Sequence, residues 1–542
     1  MMGSRQRREP KMFYLGFNLE ERVPAEHPLR KIASRVDFDF VRSLVKPLYG
    51  VNGNVSVDPA GVLKLMFLSF YEGLQSERRL MAQLPMRLDW LWFCGYDLDD
   101  AVPDHSVLSK ARRRWGQGVF AEFFQRVLEQ CLEAGLVDGT VVHLDSSMIE
   151  GNASKERLRV YLRQVGGRVY EDLDRADDLG LGSTDGAGGG DEGQGVTESS
   201  VEGVKSPETR TFTESPSEAV EGPETPDGGG SPKPGQRITP VDPDARLACK
   251  YGKTTLGYKD HRAVDDRSGI ITATVTTPAN VNDETMLSPV IEAHESNTQI
   301  AVSAVAADKA YGTGENYRYL HEHGVTACIP HKDKNCHRDS DLGNRQFVYD
   351  ATTDTFRCPG GQTLKRRQFQ KDKNAVTYVA PREVCEGCVH FARCVSSQTR
   401  GRRISRNLND PYLDWADGCL SRAQRKRLMA RRKAKVEGSF ADAATHHGFK
   451  RARWRGRVRV SIQNLLIAAV QNLRKLLRAA FRPHGTCSAQ AVLKSTVASF
   501  SSMGIAPGAN FCPFGPPRRL RSRFSPLRSE CPSPVPIPPT AF

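Results

Sequence analysis

The chain has 542 residues, 39% of them hydrophobic, which is enough for two to four domains with sizeable cores. It contains no run of about 18 apolar residues to span a membrane, no apolar stretch behind the basic N-terminus to make a secretory signal, and 13 scattered cysteines that suit a reducing compartment better than a disulfide framework. The formal charge of +14 is unevenly spread: residues 171–240 carry −11 and leave +25 on the rest, a balance that calls for a polyanion, nucleic acid first, unless the surface charge serves solubility alone.

Residues 12–135 read as a helical N-terminal domain. Asp58-Pro59 is a helix start, with the carboxylate as cap and proline at the first position, and Val62 to Phe70 give a broad apolar face that ends at Gly73. Ser76 caps a second helix and Asp104 a third. The third carries Lys110, Arg112, Arg113 and Arg114, candidate DNA contacts of a helix-turn-helix-like unit. An ordinary helical bundle with a solvated basic face fits the same pattern.

Val141, Val142 and Leu144 run into Asp145, the pattern of a buried strand that delivers a carboxylate at its end. A helix is expected over 153–164, and residues 136–165 are read as the first part of a core domain. Residues 166–240 hold GAGGGDEGQG and few large apolar side chains. They cannot offset their ordering entropy, so a disordered acidic insert is expected, either a passive linker or an intramolecular competitor for the basic surface. Order resumes with a β-hairpin, 256–264 and 270–276, about Asp265–Gly269. A helix capped by Asn282-Asp283, a strand ending at Asp308, a helix from Glu315 to His323 and a strand over 325–329 complete the second part of the core, 241–330. The order is that of an α/β layout (α+β, multidomain) with a mixed sheet in which the Asp145 and Asp308 strands are neighbours.

Residues 331–420 carry Cys358, Cys385, Cys388 and Cys394. The Cys-x2-Cys spacing and four thiolates match one structural Zn²⁺ in a zinc-ribbon-like insertion; His390 as a substitute ligand, or reduced uncoordinated thiols, are the other readings. Residues 421–459 hold fourteen Lys/Arg and two acidic residues, one of them Glu437. Arg432, Lys433, Arg451, Arg453 and Arg455, with Lys309 from the second core part, are candidate phosphate contacts. Trp454 suits stacking on a frayed base or anchoring of the helical hairpin. An amphipathic helix over 458–477 closes the core part 421–480, and the Pro- and Arg-rich tail, 481–542, reads as disordered.

Two strand-borne aspartates and a helical glutamate are the hard oxygen donors that two divalent cations need for phosphodiester chemistry, although each has a bland reading as a cap, turn or surface ion pair. Taken together, Asp145 with IEGNAS at 149–154, Gly257-Tyr258-Lys259, AADKAY at 306–311 and KVEGSF at 435–440 resemble the DDE transposases of bacterial insertion sequences. The nearest group is the one numbered eleven-eighty-two, close to the IS-five-like enzymes. Ser76-Glu77-Arg78-Arg79-Leu80, Val102-Pro103-Asp104-His105-Ser106 and the cysteine-bearing insertion fit the same group. The resemblance implies an RNase H-like core with Asp145, Asp308 and Glu437 as catalytic ligands of two Mg²⁺ (or Mn²⁺) ions. It also implies strand transfer on double-stranded DNA at terminal inverted repeats and in target DNA, a homodimer in the DNA complex, no membrane, and a bacterial cytoplasmic, nucleoid-associated location. The chain departs from the group at Ser146, where glycine is frequent, at Lys433, four residues before the glutamate in place of arginine, and at Ala444 in place of lysine. A domesticated nuclease or an inactive DNA-binding regulator are the alternatives; three intact carboxylates favour an enzyme.

Overall fold

The computed structural model describes residues 2–3, 18–51, 54–155, 158–160, 237–250, 252–331, 342–343, 346–371, 374–395 and 401–480. Residues Met1–Leu477 form one compact unit. The tail, 481–542, and nearly all of the acidic insert lie outside the described residues.

Among the described residues, eight α-helices come first: α1 Leu19–Arg22, α2 Pro28–Ala33, α3 Phe40–Val45, α4 Pro59–Tyr71, α5 Glu77–Gln83, α6 Leu88–Cys94, α7 Ser106–Trp115 and α8 Gly118–Glu133. Their starts follow the local chemistry. Asp58 accepts from the Ala60 amide at 3.2 Å, Ser76 from Arg79 at 3.3 Å, and Asp104 from Ser106 at 2.9 Å. Helix α4 is buried along nearly its whole length, since Phe38, Phe67, Phe93 and Phe123 form one aromatic cluster around it.

The central sheet has six strands: β1 Val141–Glu150, β2 Arg246–Lys250, β3 Lys253–Asp265, β4 Ile271–Pro278, β5 Ala304–Ala306 and β6 Thr326–Cys328, in the order β2-β3-β1-β5-β6 with β4 paired to β3. β1, β5 and β6 are parallel, while β2, β3, β4 and β1 pair antiparallel. The expected hairpin is β3–β4: Asp265 accepts from the Arg267 and Ser268 amides, and Gly269 takes φ +69°, which the turn requires. At Gly257 the reason for glycine is space, because an added Cβ would lie 2.6 Å from the Gly151 amide nitrogen. Helices α9 Leu287–Thr298 and α10 Gly314–Glu322 cover one face, packing on Val142 and Leu144. The expected helix over 153–164 is not formed in its described part. Arg159–Val160 pairs with Arg237–Ile238 instead, a partnership across the insert that local periodicity cannot reveal.

The cysteine-bearing insertion is a five-stranded antiparallel meander, β7 Val348–Asp350, β8 Thr355–Arg357, β9 Thr363–Gln370, β10 Ala375–Val379 and β11 Arg403–Asn407, with its own small core. The chain returns through α11 Asp410–Gly418, α12 Arg422–Arg432, a π turn Lys433–Glu437, α13 Gly438–His447 and α14 Arg457–Ala480. α14 is the spine of the second face, and its buried amides hydrogen-bond to neighbouring elements, with only the Asn464 Oδ1 left without a partner among them. Asn472 pairs with both the N–H and C=O of Ile271 (2.8 and 2.7 Å), Asn464 donates to Thr276 (2.7 Å), and Gln471 donates to the Ser439 carbonyl (2.8 Å).

Asp242, where the chain re-enters the fold, is fully buried and accepts from Tyr258 and from the Gly456 amide. Burial pushes its carboxyl up to about 6, against the lowering effect of those donors. The native state therefore holds this proton more tightly than the unfolded chain. Stability from Asp242 is complete below about pH 4 and is lost as pH rises through about 6. Asp242→Asn keeps an oxygen for both donors. It is expected to raise stability near pH 7.5 by about 1–3 kcal/mol and to flatten the pH 4–6.5 dependence of thermal melts.

Candidate active site

Asp145 is not at the end of its strand: β1 runs on to Glu150 because β3 stays paired with it through Gly257. The parallel neighbour β5 stops earlier, its last pairing being His143 with Ala306. Asp145 thus stands just beyond the point where the parallel ladder opens, and Asp308 leaves β5 at the same level. Strand alternation sends Val142 and Leu144 to the α9–α10 face and His143 and Asp145 to the α12 face. Asp145 accepts from the Ser146 amide (2.8 Å) and from Arg432 (2.9 Å). Burial raises its carboxyl, the Arg432 charge opposes that rise, and the nearby Asp308 charge adds to it. Asp308 caps the turn Lys309–Tyr311 by accepting from the Ala310 amide at 2.7 Å. The buried Tyr311 phenol is raised well above its usual range, first by burial and then by Asp283, Asp145 and Asp308.

Glu437 lies on the helical segment that supplies Arg432, but its side chain is exposed. Between the two runs the π turn, an i→i+5 irregularity in the helical segment. Among the described residues, no three His, Cys, Asp or Glu side chains are gathered so as to hold a metal ion. The chemistry of the donor set nevertheless fits a hard divalent cation at Asp145 and Asp308: two neighbouring carboxylates, one of them desolvated, whose like charges a cation relieves.

Several contacts that sequence reasoning did not identify hold this geometry. Lys259 bonds Asp283 (3.0 Å) and the Val281 carbonyl (2.6 Å), and Asn316 donates to the carbonyls of both Glu284 and Tyr311 (2.9 Å each). Asp283 and the Asp308 turn are thereby stapled together. Lys259 falls in the Gly-Tyr-Lys motif, which was the one available signal. His143 pairs with Asp266 (2.8 Å), and Asp266 also takes Arg431 from the end of α12.

The cationic candidates divide by burial. Lys110, Arg113, Arg114, Lys309, Lys433 and Arg451 are exposed, as are Arg422, Lys426 and Arg427 of α12. Arg112, Arg453 and Trp454 are corrections to the expected DNA contacts, because they form an internal joint. Arg112 points inward with Leu108, Ala111 and Trp115, pairs with Glu77, and lies 3.9 Å from the Trp454 ring centroid. Arg453 donates to Ser69 (2.7 Å), the Leu74 carbonyl (2.7 Å) and the His447 carbonyl (3.1 Å), and burial lowers its pKa to about 10. Trp454 packs edge-on to Phe70. Arg455 is half-buried on the Asn152 carbonyl at 3.2 Å, and Arg432 is buried on Asp145. A run of basic residues in a sequence does not tell which of them turn inward to carbonyls and rings. Arg112→Ala strands Glu77 and uncovers Trp454. It is expected to cost about 3 kcal/mol in denaturant melts and to leave the salt dependence of DNA binding unchanged.

Cys385 and Cys394 are buried in the core of the meander, with Cys358 packed against it. A Cβ placed on Gly360 would meet the sulfurs of Cys388 at 2.9 Å and Cys358 at 3.7 Å. The Cys394 thiol is raised by burial, then lowered by Arg402 and raised again by charge on Cys385, Cys358 and Cys388, so the four thiols lie in one corner of the meander, although no three of them are gathered closely enough to hold a metal ion. Soft thiolates in one corner fit zinc by donor chemistry, with His390 beside Gly360. Cys328 lies elsewhere, under α12, with its sulfur 3.9 Å from the Arg425 carbonyl.

Comparison with known proteins matches two stretches of the chain. Residues 17–114 match a transposase domain (DUF772), and residues 357–477 match a transposase DDE domain. Over 98 residues the chain is 36% identical to the transposase for insertion sequence element IS1106 of Neisseria meningitidis serogroup B, covering 18% of this chain and 32% of that protein. The chain thus spans about a third of the length of the curated relative it matches. It carries a transposase N-terminal domain and a DDE transposase domain; Glu437 and the four cysteines fall inside the second match, and Asp145 and Asp308 lie between the two. Among the described residues, no helix is long and apolar enough to cross a membrane.

Proposed function

We propose that this chain is the transposase of a bacterial insertion sequence, cutting DNA at terminal inverted repeats and joining the ends to target DNA as a dimer in the bacterial cytoplasm. The observation that carries this reading is the placement of Asp145 on β1 and of Asp308 two residues past the end of its parallel neighbour β5 in a mixed sheet, in a chain with a DDE transposase domain. A sheet of this order covered by helices on both faces agrees with an RNase H-like core. Asp145, Asp308 and, from the π turn, Glu437 are the proposed donors to two Mg²⁺ (or Mn²⁺) ions. When bound, these ions supply activation of the attacking oxygen and stabilisation of the leaving oxygen.

The protein's own groups set up the reaction. Burial of Asp145 and its hydrogen bond from Ser146 hold one carboxylate in a fixed direction, and the Ala310 amide does the same for Asp308. The exposed Arg422, Lys426 and Arg427 of α12, with Lys433 at the start of the π turn, lead toward the end of α12 that holds Asp145 and suit a phosphate backbone without regard to sequence. Lys110, Arg113 and Arg114 on α7 are the proposed contacts for repeat recognition. Asp145→Asn is expected to lower cleavage of an inverted-repeat duplex by at least about 10³-fold with DNA affinity within about twofold of wild type. Near-normal cleavage by that variant would remove Asp145 from the chemistry. An inactive regulator, the alternative from another class, predicts no metal-dependent cleavage by the wild-type protein either.

The cysteine corner is proposed as a structural Zn²⁺ site of Cys358, Cys385, Cys388 and Cys394. Metal analysis of protein purified without chelator is expected to give about one zinc per chain, reduced in Cys385→Ser. Free alkylation of all four thiols in the native protein, with no zinc present, rejects the site.

A further inference from the structure

We propose that Arg432 is an exchangeable counter-cation. It occupies Asp145 until a divalent cation binds there and is then released to a DNA phosphate, so that metal loading and DNA binding strengthen one another through one side chain. The inference rests on Asp145 and Asp308 being metal donors.

Three features of the seat support exchange. First, Asp145 is a desolvated carboxylate with Asp308 as a like-charged neighbour, and its guanidinium partner takes the electrostatic place that a metal ion would take. Second, Arg432 fills that place incompletely. Its Nη1 reaches Asp145 at 2.9 Å while its Nε is buried without a hydrogen-bond partner, whereas a well-seated arginine offers a carboxylate two parallel N–H bonds. Third, α12 does not depend on this pair for its docking. The preceding residue, Arg431, is tied to Asp266, which is itself held by His143 at the base of β1. Arg432 can therefore leave Asp145 while the helix end stays in place.

The segment on the C-terminal side of Arg432 also fits. The π turn Lys433–Glu437 begins at the next residue, and single π turns inside helices are rare local irregularities that occur mostly at functional sites. Glu437 closes this turn with its side chain exposed. The released side chain joins exposed Lys433, Lys426 and Arg427 on the surface proposed for the phosphate backbone. Coupling of this kind is reciprocal: the factor by which metal tightens DNA equals the factor by which DNA tightens metal.

The test measures Mn²⁺ binding by the full-length protein, with and without a random-sequence duplex, in wild type, Arg432→Gln and Arg432→Lys. Without DNA, Arg432→Gln is expected to bind Mn²⁺ about tenfold more tightly than wild type, and the DNA-induced tightening is expected to shrink by a similar factor. Arg432→Lys, which keeps the charge, is expected to stay near wild type. In wild type alone, Mn²⁺ is expected to speed amide hydrogen exchange in residues 430–437, a readout that does not need the variants to fold. Unchanged or weaker Mn²⁺ binding in Arg432→Gln, or unchanged exchange in that segment when wild type does bind Mn²⁺, overturns the proposal and makes Arg432 a fixed support. Absence of Mn²⁺ binding in every protein overturns the metal-donor reading itself, and this inference with it.

Discussion

Two like-charged carboxylates at the opening of a parallel strand pair are the constraint around which the rest of this structure is arranged. The ladder between β1 and β5 has only three residue pairs, yet it is what brings Asp145 level with Asp308. Buried negative charge of this kind needs a cation, and the fold provides one from the end of α12. That requirement explains why a segment so rich in arginine lies against the sheet edge rather than in open solvent. It also explains why the glutamate-bearing turn is held near the site while its carboxylate remains exposed.

Support for that arrangement comes from polar groups inside an apolar scaffold. α14 is buried on almost all sides, and its amides hydrogen-bond to β4 and to α13, so the helix that comes after Glu437 is keyed to the sheet in one register. Arg262, fully buried opposite Asp145 in the β1–β3 ladder, bonds Asp260 at 2.7 Å and stacks on Phe440 and Phe449. An unsatisfied amide or guanidinium here is costly, so these contacts specify position more sharply than apolar packing alone. The N-terminal helices are drawn into the same body. Their apolar core is continuous with that of α13 and α14, and the Arg112–Trp454–Phe70–Arg453 stack seals the joint. If α7 recognises DNA, its outward cations are therefore held in a set orientation to the carboxylates rather than on a loose tether.

Local chemistry made much of the architecture legible from the amino-acid order. Asp58-Pro59, Ser76 and Asp104 start helices where capping says they should, Asp265 to Gly269 turn the hairpin, and the apolar runs before Asp145 and Asp308 are neighbouring strands. The caps, the turn and each strand depend on residues a few positions apart; the pairing of the two strands joins residues 141–143 to 304–306. The helix expected over 153–164 failed for the opposite reason: Arg159–Val160 pairs with residues 237–238, on the far side of the acidic insert.

The kinds of group at the candidate site, and the strand pattern that makes the Asp145 and Asp308 runs neighbours, were determined by the sequence itself; that the two strands run parallel came from the tertiary structure. Tertiary structure alone decided the rest. It turned Arg112, Arg453 and Trp454 from surface candidates into a buried joint. It set Arg432 on Asp145 and left Glu437 exposed at the end of a π turn. Charge and composition count cations but carry no direction. Whether a guanidinium meets solvent, a ring or a carboxylate depends on which elements pack together, and that is settled by contacts hundreds of residues apart in the chain.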